Sequence, residues 1–374
     1  MFAIALKTLF ADPGKLLTAL VGVVFSVVLV NVQGGLFLGF ILRAGLLVDH
    51  SQADVWVGHK QSHNVDFPRD IPRRWLARVR TVPGVARAEP YLIGWSDMTL
   101  PSGGFESVVV VGFERGSQLG TPWNLNDGQL DLLLLNDAVL YDECEAEKLE
   151  FPRLGDLREL GGRRARIAGT TRGIMGFLVA PYVFTSYDRA AAFLNKDPDA
   201  CSYYLVRIDA DVSAEEVCAR IRRRVPDLDA FPAGVYSRIS LDFWMTRTGL
   251  GISFGAATLL GLLVGMVMVA QTLYALVLDR LGEFGTLKAI GATERQVCSI
   301  LLAQASFMAL AGAAMGLGLV LALQWAFSTP RAPIVIPWWL SLGSCALVLA
   351  ICLLSALGPY RRIRKVDPMM VLQS

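Results

Sequence analysis

Hydrophobic positions along this chain follow two regimes. In four stretches they run almost unbroken: from about Leu16 to Leu42, Leu250 to Leu278, Val297 to Phe327 and Trp338 to Leu357. A helix needs about 20 mostly apolar residues to cross the hydrocarbon of a bilayer, and each stretch is long enough. Between the first and second, residues 44–246 switch to short periods. There "IPRRWLARVRTVPGVARAEPYLIGWSDMTL" reads as a helix, a turn at Pro83-Gly84 and a strand, and "SVVVVGFE" reads as a strand rich in β-branched residues. "YYLVRIDADVSAEEVCARIRRRVPDLDAFPAGVYSRI" repeats strand, helix, strand, with Ser213 and Glu216 spaced as a capping box and Pro226 as the helix stop. Two βαβ-like halves predict a split ferredoxin-like module, with the strand-rich stretch from roughly 114 to 186 as an inserted subdomain. The predicted fold is membrane α-helical, with four transmembrane helices and one extracytoplasmic α+β domain.

Charge sets the orientation. The segment before the first span, "MFAIALKTLFADPGK", reads as a short amphipathic helix on the membrane surface, broken at Pro13-Gly14. The first apolar run is longer than the core of a secretory signal, and no small-residue cleavage site follows "GGLFLGFILRAG", so it reads as a retained span. Lys7 and Lys15 precede it; Arg280, Lys288 and Arg295 lie between spans two and three; Arg361, Arg362, Arg364 and Lys365 follow span four. The bias of basic residues toward the cytoplasm places all three segments inside and residues 44–246 outside. The expected plan is an amphipathic helix (1–15), span one (16–43), the outer domain (44–246) and span two with a stalk (247–278). A cytoplasmic loop (279–295), span three (296–327), an outer loop (328–337), span four (338–358) and a basic tail (359–374) follow.

Composition agrees with this partition. Residues 44–246 hold 23 of the 35 Lys and Arg and 28 of the 33 Asp and Glu, so the rest of the chain is poor in charge. A net charge of +2 without a basic stripe gives no reason to expect nucleic acid. Cys144, Cys201 and Cys218 in the outer domain show no metal-binding spacing and leave room for one disulfide. His59 and His63 are four apart, but "VGHKQSHNVDFP" lacks a helical pattern and a third ligand; it reads as an exposed loop, and no metal site is expected. "GISFG" matches the pattern of a nucleophile elbow, yet it opens a membrane helix and no histidine follows it. No catalytic residue is therefore assigned. Asn31, Gln33, Gln271, Gln304 and Gln324 lie at membrane depth and read as hydrogen-bond partners between helices rather than ligand contacts. "DECEAEKLE" reads as a solvated surface. Gly251/Gly255, Gly261/Gly265 and Gly312/Gly316 are small-xxx-small pairs, suited equally to packing within one bundle or between two copies.

The loop between spans two and three, "LDRLGEFGTLKAIGATERQV", stands out. Leu281, Phe284, Leu287 and Ile290 line one face of a short helix, with Asp279 and Glu283 toward its start and Lys288 toward its end. Gly291 suits a C-terminal cap, and Thr293 with Gln296 opens the next helix as a T-x-x-Q box. Alone, this is either an interfacial helix lying in the headgroups or a docking helix for a cytoplasmic partner.

"GEFGTLKAIGATERQV" resembles the signature of FtsX/MacB-type ABC transporter permeases, and the plan of one span, a large outer domain and three further spans agrees along essentially the whole chain. "VPGV", "VVVVGFE", "GGRRARIAGT" and "LGEFGTLKAIGAT" are most similar to DevC-type permeases. The resemblance implies that the loop is a coupling helix seated on a cytoplasmic ABC ATPase subunit through Glu283, Phe284, Gly285, Leu287, Lys288, Gly291 and Ala292. Phe284 and Thr286-Leu287 stand where many relatives carry Ile and Ile-Arg. It further implies a dimer of this chain in the bacterial inner membrane, with both termini cytoplasmic and the domain periplasmic. ATPase movement would be passed on mechanically, with a membrane-fusion adaptor and an outer-membrane channel as partners. The chain lacks G-x-x-x-x-G-K-[ST], so ATP and Mg would be bound by the ATPase and no cofactor by this chain. An FtsX-like signalling subunit and a lipoprotein-release permease are the alternatives; a sensor is disfavoured because no cytoplasmic signalling domain is present.

Overall fold

The computed structural model describes residues 9–128, 132–133, 137–178, 180–279, 291–329 and 332–356. Residues 1–8 of the expected amphipathic helix and the tail from 357 onward lie outside them. The chain divides into two compact units, Phe40–Gly251 and the remainder.

The chain breaks at Ala11-Asp12, and helix α1 (Pro13–Ile41) starts at Pro13. Proline tolerates the first helical position because its missing N–H would be unpaired anyway. Asp12 supplies the cap, accepting from the Lys15 amide at 3.3 Å. Residues Leu42–Gly45 tighten into a 3-10 turn, and α2 (Leu46–Asp49) follows.

The α+β unit is built on one large sheet. Its elements are β1 (Val55–His59), β2 (Ile71–Pro72), α3 (Leu76–Arg80), β3 (Val85–Thr99), β4 (Phe105–Phe113), β5 (Leu125–Asp127), β6 (Ala138–Asp142), β7 (Leu157–Leu160), β8 (Arg163–Thr171) and β9 (Tyr182–Ser186). Then come α4 (Tyr187–Phe193), β10 (Ala200–Cys201), β11 (Tyr203–Ile208), α5 (Ala214–Arg224), β12 (Leu228–Pro232) and α6 (Ala233–Arg247). The strand order β12-β1-β11-β3 joins the two halves, every neighbour antiparallel. This is the order of a ferredoxin-like βαββαβ unit, with β1-α3-β3 and β11-α5-β12 as its halves. Ser213 accepts from the Glu216 amide at 3.3 Å, and α5 stops before Pro226.

The stretch between the halves is strand-rich, as an insertion between them, and its strands extend the same sheet. β3 is 15 residues long; it pairs with β11 up to Tyr91 and with β4 from Tyr91 on. The sheet then continues through β9, β6, β8 and β5, with β4/β9 and β6/β8 parallel. One strand too long for the ferredoxin-like half is enough to template the added ones.

Alternation along the strands sorts side chains into two cores. Val55, Val57, Val108, Val110, Tyr204 and Val206 point to one face, covered by α3, α4 and α5. Trp56, Val109, Val111, Tyr203 and Leu205 point to the other, where Leu47, Val48 and Tyr236 cover them. The second face is therefore closed by the segments that follow α1 and precede the next long helix. "DECEAEKLE" is not solvated throughout: Asp142 and Glu145 are fully buried. Asp142 accepts from the amides of Cys144 (3.0 Å), Gly173 (3.3 Å) and Ile174 (2.7 Å) and from the Thr171 hydroxyl (3.0 Å), which offsets its desolvation. His59 ends β1 instead of lying in a loop, while His63 is exposed.

The helical unit contains the rest of α1 with α7 (Leu250–Asp279), α8 (Glu294–Phe327) and α9 (Trp338–Ser355). Together with α1, these are four helices long and apolar enough to cross a membrane. α6 and α7 are separate helices. Gly249 takes a φ of +72°, a left-handed conformation that ends α6 and lets α7 start afresh.

Candidate functional site

Five of the seven proposed docking residues, Glu283, Phe284, Gly285, Leu287 and Lys288, lie outside the described residues; Gly291 and Ala292 lie within. Gly291 has a φ of +102°, in the left-handed region that favours glycine. Thr293 and Gln296 form both bonds of the capping box, the Thr293 amide donating to Gln296 Oε1 at 2.8 Å, so α8 starts at a fixed residue. On the other flank, Asp279 ends α7 and pairs with Lys15, whose ammonium also lies 3.0 Å from Asp12. Both ends of the loop are thus anchored, one by an ion pair to the start of α1 and one by a helix cap.

α1 is the axis of its unit. Ser26 Oγ lies 3.1 Å from the carbonyls of both Gly22 and Gly261 as their donor, so a side-chain hydroxyl of α1 reaches the backbone of α7. A Cβ on Gly265 would collide with Ser26 Oγ, and one on Gly261 with Leu29. On α8, a Cβ on Gly312 would stand 2.5 Å from Val23, and on Gly316 2.8 Å from Val27. These four glycines are therefore occupied by packing within one chain. Gly255 has nothing within 4 Å of its Cβ position, and Gly251 abuts the Met245 carbonyl at 2.9 Å. Asn31 is fully buried; its Nδ2 donates to Val27 O at 2.8 Å and Ser344 Oγ at 2.7 Å, and its Oδ1 accepts from Ser341 at 3.3 Å, tying α1 to α9. Gln324 Nε2 donates to Ile334 O at 2.9 Å. Gln304 is buried in α8, Gln33 is half-buried and Gln271 is exposed.

In the α+β unit the chain entering from α1 and the chain leaving toward α7 are fastened together. α6 packs against Leu42–Gly45 and α2. Gly45 lies so close to α6 that a Cβ would strike Ser237 Oγ. Ser240 Oγ accepts from the Val65 amide at 2.8 Å. Next to it, Asp66 accepts from Trp244 Nε1 and from the Tyr182 hydroxyl, both at 3.2 Å. Burial among these neutral donors raises the Asp66 carboxyl to about 6, with the two hydrogen bonds pulling the other way. Behind it, Tyr236 donates to the Tyr203 hydroxyl at 3.1 Å, Tyr203 to the Asn64 carbonyl at 3.0 Å, and Trp56 Nε1 to Ser51 Oγ at 3.1 Å. Asp66, Trp244, Gly45 and Ser237 were not expected from the sequence. Only the placing of Asp66 among apolar neighbours in "NVDFP" hinted at burial.

Among the described residues no group of His, Cys, Asp and Glu is arranged to hold a metal. All six cysteines are free. Burial pushes the Cys201 thiol up to about 12, the reverse of an activated nucleophile. "GISFG" lies inside the first turns of α7.

Residues 255–368 match the model of the FtsX-like permease C-terminal domain. Two proteins of Mycobacterium tuberculosis, from strains CDC 1551 and H37Rv, each named as an uncharacterized ABC transporter permease, are 26% identical over 362 residues, covering 93% of this chain and 91% of theirs. Among solved structures, the periplasmic region of MacB from Actinobacillus actinomycetemcomitans is similar with a TM-score of 0.40 and 11% identity, over 50% of this chain and 92% of that one. The extracellular domain of the transporter YknZ from Gram-positive bacteria gives 0.37 and 12%, over 48% of this chain and 98% of that one.

Proposed function

We propose that this chain, whose residues 255–368 match the model of the FtsX-like permease C-terminal domain, is an FtsX/MacB-type ABC transporter permease and the mechanical subunit of an ATP-driven exporter. Residues 279–295 are the coupling segment, with Glu283, Phe284, Gly285, Leu287, Lys288, Gly291 and Ala292 seated on a separate ABC ATPase. The chain binds no nucleotide and acts as a homodimer in the inner membrane, both termini cytoplasmic. Movement of α7 and α8 is passed through the bundle to a periplasmic domain that engages a membrane-fusion adaptor and an outer-membrane channel.

One observation supports this reading above the others: the segment that follows α1 packs on α6, which precedes α7, with Gly45 against Ser237, and the loop after β1 is tied to the same helix by Val65–Ser240 and Asp66–Trp244. A lever needs its two arms joined where the load is applied, and hydrogen bonds to a buried charge join them more stiffly than apolar contact does. The test is co-purification from native membranes. The wild-type chain is expected to bring down an ATPase, and Glu283→Lys to lose it while remaining inserted. Equal ATPase recovery with the variant would overturn the docking role.

A further inference from the structure

The residues that lead into α1 meet both helices that flank the proposed docking loop. Leu9 is fully buried, in the same apolar core as Val277 of α7 and Val297 and Ile300 of α8. Phe10 meets Phe307 of α8 edge to face, with ring centroids 5.6 Å apart. Lys15, in the first turn of α1, pairs with Asp279, the last residue of α7. Residues 9–15 therefore hold α7 with one contact and α8 with another, on either side of residues 280–290.

The Lys15–Asp279 pair runs against what either helix favours alone. A helix N-terminus carries partial positive charge and a C-terminus partial negative charge, so an acid suits the first and a base the second. Here the first turn of α1 holds a lysine and no acid, and the last turn of α7 holds an aspartate and no base. Each charge opposes the dipole of its own helix and is offset by the other. Asp12, just outside α1, adds a second carboxylate 3.0 Å from the ammonium. The bias of basic residues toward the cytoplasm accounts for a cation at this end of α1, but not for the acid that faces it. In open water such a pair holds weakly. At the ends of two apolar helices the surroundings are less polar than water, and the attraction grows as the dielectric falls.

We infer that Lys15 is a positioning residue for ATPase docking: by holding Asp279 it sets where α7 ends, and so where the docking segment leaves the bundle. The inference rests on the reading of residues 279–295 as the seat of an ABC ATPase. It adds the start of α1 to that joint, so that a push on the segment reaches α1 directly as well as through α7 and α8.

Charge reversal in the full-length chain, with Asp12→Asn throughout, tests it. Asparagine keeps the oxygen that caps the Lys15 amide and removes the second carboxylate. Lys15→Glu, Asp279→Lys and the two together are purified from native membranes, and the ATPase recovered per monodisperse chain is measured. Gly265→Leu, which overpacks the α1–α7 seam without touching these charges, is the control for a loosened bundle. Each single reversal is expected to lower recovery about threefold or more, and the double reversal to restore it. Recovery that does not fall, or that the double reversal leaves low, would overturn the inference. An equal loss with Gly265→Leu would overturn it too, because recovery would then follow bundle stability alone. A parent chain that brings down no ATPase would overturn the docking reading beneath it.

Discussion

Asp66→Asn probes the clasp through its pH dependence. The carboxyl of Asp66 is raised from 3.8 to about 6 because it is buried and faces only neutral donors, Trp244 and Tyr182, with Tyr203 and Tyr236 beyond. The unfolded chain gives up this proton near 3.8 and the folded chain near 6. Between those values the folded state holds more protons, so stability falls as pH rises and levels off above 6. Each unit within the window corresponds to about 1.4 kcal/mol, so raising the pH from about 4.5 to about 7.5 removes about 2 kcal/mol through this group. An amide at the same place keeps the shape and cannot ionise. Phe40–Gly251 forms a compact unit, so urea unfolding of that segment, followed by tryptophan emission, gives both stabilities. Other titrating groups cancel in the difference between variant and wild type. The Asn variant is expected to gain about 2 kcal/mol on wild type across that range, and any constant cost of the amide drops out. A difference that stays flat, or narrows as pH rises, would refute the account of Asp66.

Gly265→Leu is expected to lower the thermal stability of the detergent-solubilised chain, because its Cβ would overlap Ser26 Oγ and overpacking of this kind costs about 1–3 kcal/mol. Gly255→Leu, with open space around it, should be tolerated; equal behaviour of the two would remove the α1–α7 seam from the argument. Gly45→Cys with Ser237→Cys should crosslink under mild oxidation, since a Cβ on Gly45 stands 3.3 Å from Ser237 Cβ, close to the ~3.5–4.5 Å of a disulfide. If the two segments move as one body, the crosslinked chain keeps its coupling to ATP hydrolysis; loss of coupling that reductant restores would show that they part during the cycle.

What was legible in the sequence follows from the range over which each feature is encoded. The four spans show because a bilayer imposes a length and a composition on contiguous residues, and the capping box at Thr293 shows because it closes over three positions. The ferredoxin-like order showed because each half repeats a local strand–helix–strand pattern around β1 and β11. That the inserted strands extend the same sheet is not legible, because it depends on β3 being long enough to serve two neighbours, and strand length carries no mark of how many partners it will meet. "DECEAEKLE" was misjudged because charge density says nothing of where the compensating amides of Gly173 and Ile174 will come from. The clasp was invisible for the same reason in its strongest form. Asp66 and Trp244 are 178 positions apart, and only the folded sheet brings the loop after β1 and the helix before α7 to one face. Local rules recover parts whose partners are neighbours in sequence, whereas the joint that would carry force between α1 and α7 exists only in the tertiary structure.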